Sequence, residues 1–253
     1  MSCVTAASSV LGSRVLSQLS YIDSLPQVHR HGLDAAFPCP NELLEVIIYI
    51  NLIRSGAELA SNKTLSASPR VERLLERIMS FSPVEWAWLC LVDAGFHSSK
   101  PDNNSNNVTS DPQVNDLVAV ASAFQEAVLL FCLRTLVLDR DITSSLSDEL
   151  SKRIHSIRCT ASDSLLAHLR QLFSTAARQR EPFMGKFASW PLFIAGMECQ
   201  YSRSHSIDQE RDFILESLYR ISYMQADVSV LDIAPSLQRV WKMERGMDII
   251  EIM

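Results

Sequence analysis

The sequence predicts an all-α protein, built as a multi-helix bundle or array. Apolar residues recur every three or four positions over several long segments, which is the period of a helix face. The 253 residues include only 7 Gly, and several of the 10 Pro stand where helices would begin or end, so turn signals for a strand-rich fold are few. The 47% hydrophobic content is ordinary for a soluble globular protein with a substantial core.

The first ninety residues predict a lead-in followed by three helices. Residues 1–39 mix Ser, Leu, Pro and His without a long period, and we interpret them as weakly ordered, with the helical domain at 40–253. The apolar run 42–53 is long for a strand and follows an N-cap candidate, so we favour a helix, although its β-branched residues leave a strand as the alternative. Ser-Pro pairs at 68–69 and 82–83 predict the starts of two further helices, and these two helices meet at a tight corner.

The middle of the chain predicts a loop and two long helices. Residues 97–112 contain almost nothing that could bury apolar area, so they predict a long flexible loop. Helical spacing then runs over 114–138, and its second half is apolar nearly all round, which requires neighbours on several sides. The most apolar run, 127–138, is interrupted by Arg134 and is shorter than the roughly 20 residues needed to cross a bilayer. We therefore predict a buried helix and no membrane contact. A third long pattern, with acids in its first turn, predicts a helix over 148–172.

Charge and cysteine usage argue against several classes of protein. A net charge of -6 disfavours direct binding to nucleic acid phosphates, and the start of the chain carries no secretory signal pattern. The six cysteines include no C-x-x-C pair, so no two are placed like local metal ligands. Cys132 and Cys159 fall within helical patterns, and we interpret both as small reduced core residues of an intracellular protein.

No residue is predicted to be catalytic, to bind a cofactor or to bind a metal. The sequence contains no dinucleotide-binding, P-loop, metalloprotease or nucleophile-elbow motif. His29 and His31 could supply two metal ligands, but no third ligand is near, so surface histidines are favoured. His168 lies on an apolar helix stripe as a core or boundary histidine. The acids within 208–212 suit a helix N-terminus with solvated carboxylates.

The most informative stretch is Phe187 to Cys199, FASWPLFIAGMEC. Pro191 suits a first helical turn, Ser189 can cap it, and Trp190 with the following apolar run predicts a fully buried short helix. Gly196 within a helix is unfavourable by about 1 kcal/mol against Ala, so we expect another helix to pack closely there.

The string from Trp190 to Glu198 resembles the hallmark of the fungal-specific transcription factor domain, which lies C-terminal to Zn(II)2Cys6 DNA-binding clusters. Three further segments, at 123–131, 208–218 and 237–245, are similar to helices around that hallmark. The resemblance covers roughly residues 40–250 in order. The hallmark residues, which we expect to be structural, are Trp190, Pro191, Leu192, Phe193, Ala195, Gly196, Glu198 and Trp241.

The resemblance implies a nuclear transcription regulator, controlling a metabolic or secondary-metabolite gene set through its helical domain and protein partners, such as a second copy or other regulators. In the family, six closely spaced cysteines bind zinc and read DNA, whereas the cysteines here are tens of residues apart. Specific DNA binding by this chain itself is therefore not expected. A polar contact between Glu198 and a neighbouring helix is a further hypothesis.

Two alternatives stay open from the sequence. A helical accessory protein or enzyme of secondary metabolism would hold a small molecule in an apolar pocket and would be stabilised by it. A general helix-array interaction module would instead show exposed apolar patches.

Overall fold

The computed structural model describes residues 39–54, 68–93, 112–138, 148–174, 184–199, 207–226 and 229–242. Within these ranges nearly every residue is helical and none lies in a strand, so the predicted all-α class is confirmed. The elements are α1 (Asn41–Arg54), α2 (Ser68–Ser80), α3 (Pro83–Asp93), α4 (Pro112–Cys132), a π-helical segment (Leu133–Leu138), α5 (Asp148–Leu172), a 3-10 turn (Met184–Phe187), α6 (Ser189–Glu198), α7 (Ile207–Gln225) and α8 (Ser229–Lys242).

Helices α1 to α3 form where their start signals predict them, and the strand alternative for 42–53 is wrong. The capping interaction at α3 is present, because the Glu85 backbone N–H donates to Ser82 Oγ at 3.3 Å. The corner between α2 and α3 is held by Gln125 of α4, whose Nε2 donates to the carbonyls of Ile78 at 2.7 Å and Phe81 at 3.1 Å.

Helix α4 is the centre of the described structure, since it packs against α1, α2, α3, α5 and α6. These neighbours on several sides confirm the expectation drawn from its apolar surface. The segment Val114–Val137 is long and apolar enough to cross a membrane by composition alone, but 78% of its most apolar window is buried inside the protein. Such burial is typical of the core helix of a bundle.

The long helical pattern over 114–138 differs from one continuous α-helix. The α-helix ends at Cys132, and Leu133–Leu138 form a π-helical segment. A π-helix, with hydrogen bonds between residues five apart, is rare and occurs mostly as single turns within α-helices. Here it carries the buried Arg134, whose guanidinium reaches α6.

Several predictions lie outside the described residues. These are the lead-in at 1–39 apart from Cys39, which is buried in the core, the pair His29 and His31, and the flexible loop near 97–112, of which only Pro112 is described as the first residue of α4.

Candidate functional site

The short helix α6 carries most of the hallmark and is enclosed by four helices, α4, α5, α7 and α8. Every residue from Pro191 to Glu198 is buried, and Leu192, Phe193 and Ala195 join the main hydrophobic core. Pro191 lies in the first turn, where its missing N–H leaves no helical hydrogen bond unmade. The predicted short buried helix is therefore present.

The start of α6 differs from the predicted cap. Ser189 is already helical, and the cap position is Ala188, which makes no side-chain hydrogen bond. The chain enters α6 directly from the 3-10 turn: the Ala188 N–H donates to Gly185 O at 3.0 Å and the Leu192 N–H donates to Ala188 O at 2.8 Å. Ala188 is 1% exposed, so the buried entry selects a small side chain over a polar cap.

Trp190 is half-buried rather than fully buried, and it anchors α6 to α4 through its ring. Its ring lies nearly parallel to that of Phe124, with centroids 6.1 Å apart, and meets the Phe131 ring edge-on at 6.0 Å. Both arrangements are favourable for aromatic pairs.

Gly196 is the point of closest approach between α6 and α8. A Cβ placed at Gly196 would lie 2.6 Å from Leu237 Cδ1, a distance too short for two carbon atoms. This confirms the prediction that close helix packing explains the glycine. Trp241, one turn beyond Leu237 on α8, donates from Nε1 to the Gly196 carbonyl at 2.7 Å.

The carboxyl end of α6 is capped by side chains from distant parts of the chain. The last carbonyls of a helix have no partner within it, and when buried they need one. The Cys199 N–H donates to Ala195 O, Trp241 donates to Gly196 O, and Arg134 Nη1 donates to Met197 O at 3.3 Å. The hallmark helix is thus fixed from two sides, by α8 and by the π-helical segment.

Glu198 ends the hallmark as a buried charge held between two arginines. Its side chain is 3% exposed, and Arg158 Nε of α5 donates to Oε2 at 2.6 Å. Arg134 Nη1 lies 3.7 Å from Oε1. A carboxylate withdrawn from water needs such partners, so the hypothesis of a polar contact with a neighbouring helix is confirmed.

Part of this ion-pair network is indicated by the sequence. Arg134 interrupts an otherwise apolar run, and an arginine in such a position needs a buried acidic partner. Nothing in the sequence indicated that this partner is Glu198, or that Arg158 is the second cation.

Beside this network, Cys199 and Glu210 lie in the same buried region. Burial, reinforced by the charge of Glu210, raises the pKa of the Cys199 thiol to about 12, against a smaller opposing effect of Arg211. Glu210 is 7% exposed, so the expectation of a solvated acid at that position is wrong, whereas Asp208 is exposed as expected. The first turn of α7 packs inward at Glu210, while the Arg211 guanidinium covers the Trp241 ring at 5.2 Å.

The remaining titratable candidates are separate from α6. Cys132 is a core residue as predicted, and burial raises its pKa to about 12. Cys159 is exposed, so its assignment to the core is wrong: α5 is covered by its neighbours mainly from Ala161 onwards. His168 is a half-buried boundary residue, and burial lowers its pKa.

The contacts around α6 are packing, hydrogen bonds and ion pairs that lock helices together. Within the described ranges, no three His, Cys, Asp or Glu side chains come together as a group that could hold a metal ion. The structure gathers seven of the eight hallmark residues on α6, and it brings Trp241 to them from α8.

The described residues thus define an all-α array of helices locked around the short helix α6. The chain belongs to the fungal specific transcription factor domain family, whose family model matches residues 4–253, nearly the whole sequence. No curated protein and no solved structure matches the chain. Membership of this family supports a role as a transcription regulator.

Proposed function

We propose that this chain regulates the transcription of a metabolic or secondary-metabolite biosynthetic gene set, in the nucleus, through contacts between its helical domain and other proteins. It acts as a regulator and not as an enzyme. The observation that carries the proposal is the family match over residues 4–253. The helices packed around α6 are consistent with it, because their contacts fix shape instead of assembling reactive groups.

We further propose that these 253 residues do not read DNA by themselves. The net charge of -6 opposes a polyanion, and the cysteines are too far apart in sequence to form the family's zinc cluster. Several described arginines are also engaged with acids, in the pairs Arg77–Glu45, Arg134–Glu198, Arg158–Glu198, Arg211–Asp208 and Arg220–Glu216. Sequence reading then belongs to a protein partner or to a DNA-binding part outside these 253 residues.

The test is a titration of the purified chain into a fluorescent duplex, followed by anisotropy at two salt concentrations with a competitor duplex, together with the zinc content of the same preparation. We expect no bound zinc and no sequence-specific binding. Salt-sensitive, sequence-specific binding with bound zinc would contradict the proposal that these residues do not read DNA by themselves.

The gene-set part of the proposal has its own test. Loss of the chain from its host is expected to change the transcripts of one metabolic or biosynthetic gene set, and re-expression is expected to restore them. Unchanged transcripts, with the chain present in nuclei of the parent strain, would contradict the proposal.

A further inference from the structure

A thiol and an imidazole lie side by side on the solvent-exposed face of α5. Cys159 Sγ is 3.5 Å from His155 Nε2, within the hydrogen-bonding distance of sulfur, and both residues are exposed. Residues four apart on a helix are neighbours on one face, so the helix itself holds the two groups together. Neither residue contributes to the contacts around α6.

The other described cysteines have different surroundings. Cys39, Cys90, Cys132 and Cys199 are all buried. Burial raises the pKa of Cys39 well above its usual value and that of Cys132 to about 12, so these thiols stay protonated at neutral pH as well as shielded. Because the thiolate is the reacting form of cysteine, they are inert in the folded protein. Among the described cysteines, Cys159 alone is exposed.

The charges around the pair leave its solvent side accessible. Lys152 and Arg153 are exposed in the turn before His155, and Asp163 is exposed one turn after Cys159. Arg158, although adjacent in sequence, turns inward to Glu198. The two exposed cations lie closer along α5 to His155 than the acids Asp148 and Glu149 do, and they attract anionic reagents.

We propose that Cys159 is a thiol-modification site, that His155 is its proton acceptor, and that its reaction partners are small anionic disulfides such as glutathione disulfide. His155 accepts the thiol proton, and the Cys159 sulfur attacks one sulfur of the disulfide. The disulfide bond breaks as the new sulfur–sulfur bond forms, and the departing thiolate takes up a proton. One protein thiol and one disulfide thus become one mixed disulfide and one free small thiol.

The fold predicts that this modification leaves the core intact. The sulfur faces solvent, so a bound glutathionyl group requires no opening of the packed helices. The modification is a property separate from regulation of transcription, because it depends on thiol chemistry alone.

The test measures glutathionylation of the full, reduced chain near neutral pH, by intact mass over time and by peptide mapping. All chains carry Cys3→Ser, so that the thiols under comparison are those the structure describes. We expect one glutathionyl group per folded chain, mapped to Cys159, and none after Cys159→Ser. Positioned proton acceptors raise reaction rates by about a hundredfold or more in enclosed active sites. At this exposed pair we expect a smaller effect, so that His155→Gln reacts roughly tenfold more slowly.

The matched control is Lys152→Gln, which removes a positive charge from the same end of α5 without touching the thiol. Because it weakens the attraction of the anionic disulfide, it is expected to slow the reaction by less than His155→Gln does, and circular dichroism confirms that each variant is folded. The proposal is overturned if Cys159→Ser takes up as much glutathione as the parent, if His155→Gln reacts at the parental rate, or if Lys152→Gln slows the reaction as much as His155→Gln does.

Discussion

Helices α6 and α3 have similar apolar compositions but differ in how far they are buried. Both are short and strongly apolar, and both carry Trp and a first-turn Pro, in SWPLFIAGME and PVEWAWLCLVD. Pro191 to Glu198 of α6 are all buried, whereas Leu89 and Val92 of α3 are 58% and 56% exposed. The difference lies in the neighbours, because four helices enclose α6 while α3 packs chiefly on α4. Apolar composition alone therefore does not decide burial.

The largest expected effect in α6 is at its buried charge. Glu198→Ala leaves Arg134 and Arg158 without their common carboxylate in a region that excludes water. Removing one partner of a buried ion pair costs about 3–5 kcal/mol, and we expect a loss of that size in the free energy of unfolding, measured by urea denaturation.

The matched control is Glu216→Ala, which removes the acid of an exposed pair with Arg220 on α7. An exposed pair four residues apart on a helix contributes about 0.3–0.5 kcal/mol, so little change is expected. Equal losses in the two variants would contradict the distinction between the buried and the exposed acid.

A direct comparison of the two helices uses the same truncation in each. Leu192 of α6 is 0% exposed and Leu89 of α3 is 58% exposed. Leu192→Ala is expected to lower the free energy of unfolding by about 3 kcal/mol, since it removes buried contacts and leaves a cavity. Leu89→Ala is expected to change it by at most about 0.5 kcal/mol. Comparable losses, measured by thermal unfolding, would show that α3 is also enclosed.

The close approach of α6 to α8 predicts a change of sign in a double-mutant cycle. Gly196→Ala places a methyl group against Leu237, which is 0% exposed, and is expected to cost about 1–2 kcal/mol. With Leu237→Ala already present the clash is gone, and the same change is expected to stabilise by about 0.5–1 kcal/mol through helix propensity. A loss of equal size in both backgrounds would disprove the proposed contact.

The smallest predicted effect concerns the Trp241 cap. Trp241→Phe keeps an aromatic ring near Arg211 but removes the donor to Gly196 O. We expect a loss of about 1 kcal/mol in the free energy of unfolding, the net contribution of one hydrogen bond. Trp190→Phe is the control for replacing a tryptophan, because no hydrogen bond of the Trp190 indole contributes to the α6 cap. An unchanged free energy of unfolding in Trp241→Phe would exclude Trp241 as a cap.

Local features of the sequence were sufficient to predict most of the helices, whereas α8 was expected only from the family resemblance. Periodicity and capping residues predicted α1 to α5, and the propensity cost of Gly196 predicted a close neighbour. The partners were not predictable, because they come from far along the chain: Arg158 and Glu198 are 40 residues apart, and Arg134 and Met197 are 63 apart. The same limit explains why Cys159 was assigned to the core and Glu210 to the solvent, since a helix period does not show how far neighbouring helices extend.

If the chain regulates transcription through a helical domain held together around α6, it should change the output of a promoter to which it is tethered. The most direct measurement is a reporter assay in fungal cells, in which the chain is tethered to a promoter by an unrelated DNA-binding domain, at matched abundance of each protein. We predict that the tethered parent and its Glu216→Ala variant change reporter expression alike, and that Glu198→Ala loses most of this effect. If the parent reaches the nucleus and leaves the reporter unchanged, the domain does not regulate transcription as proposed. If the Glu198→Ala variant is as active as the parent, regulation does not depend on the packing around α6.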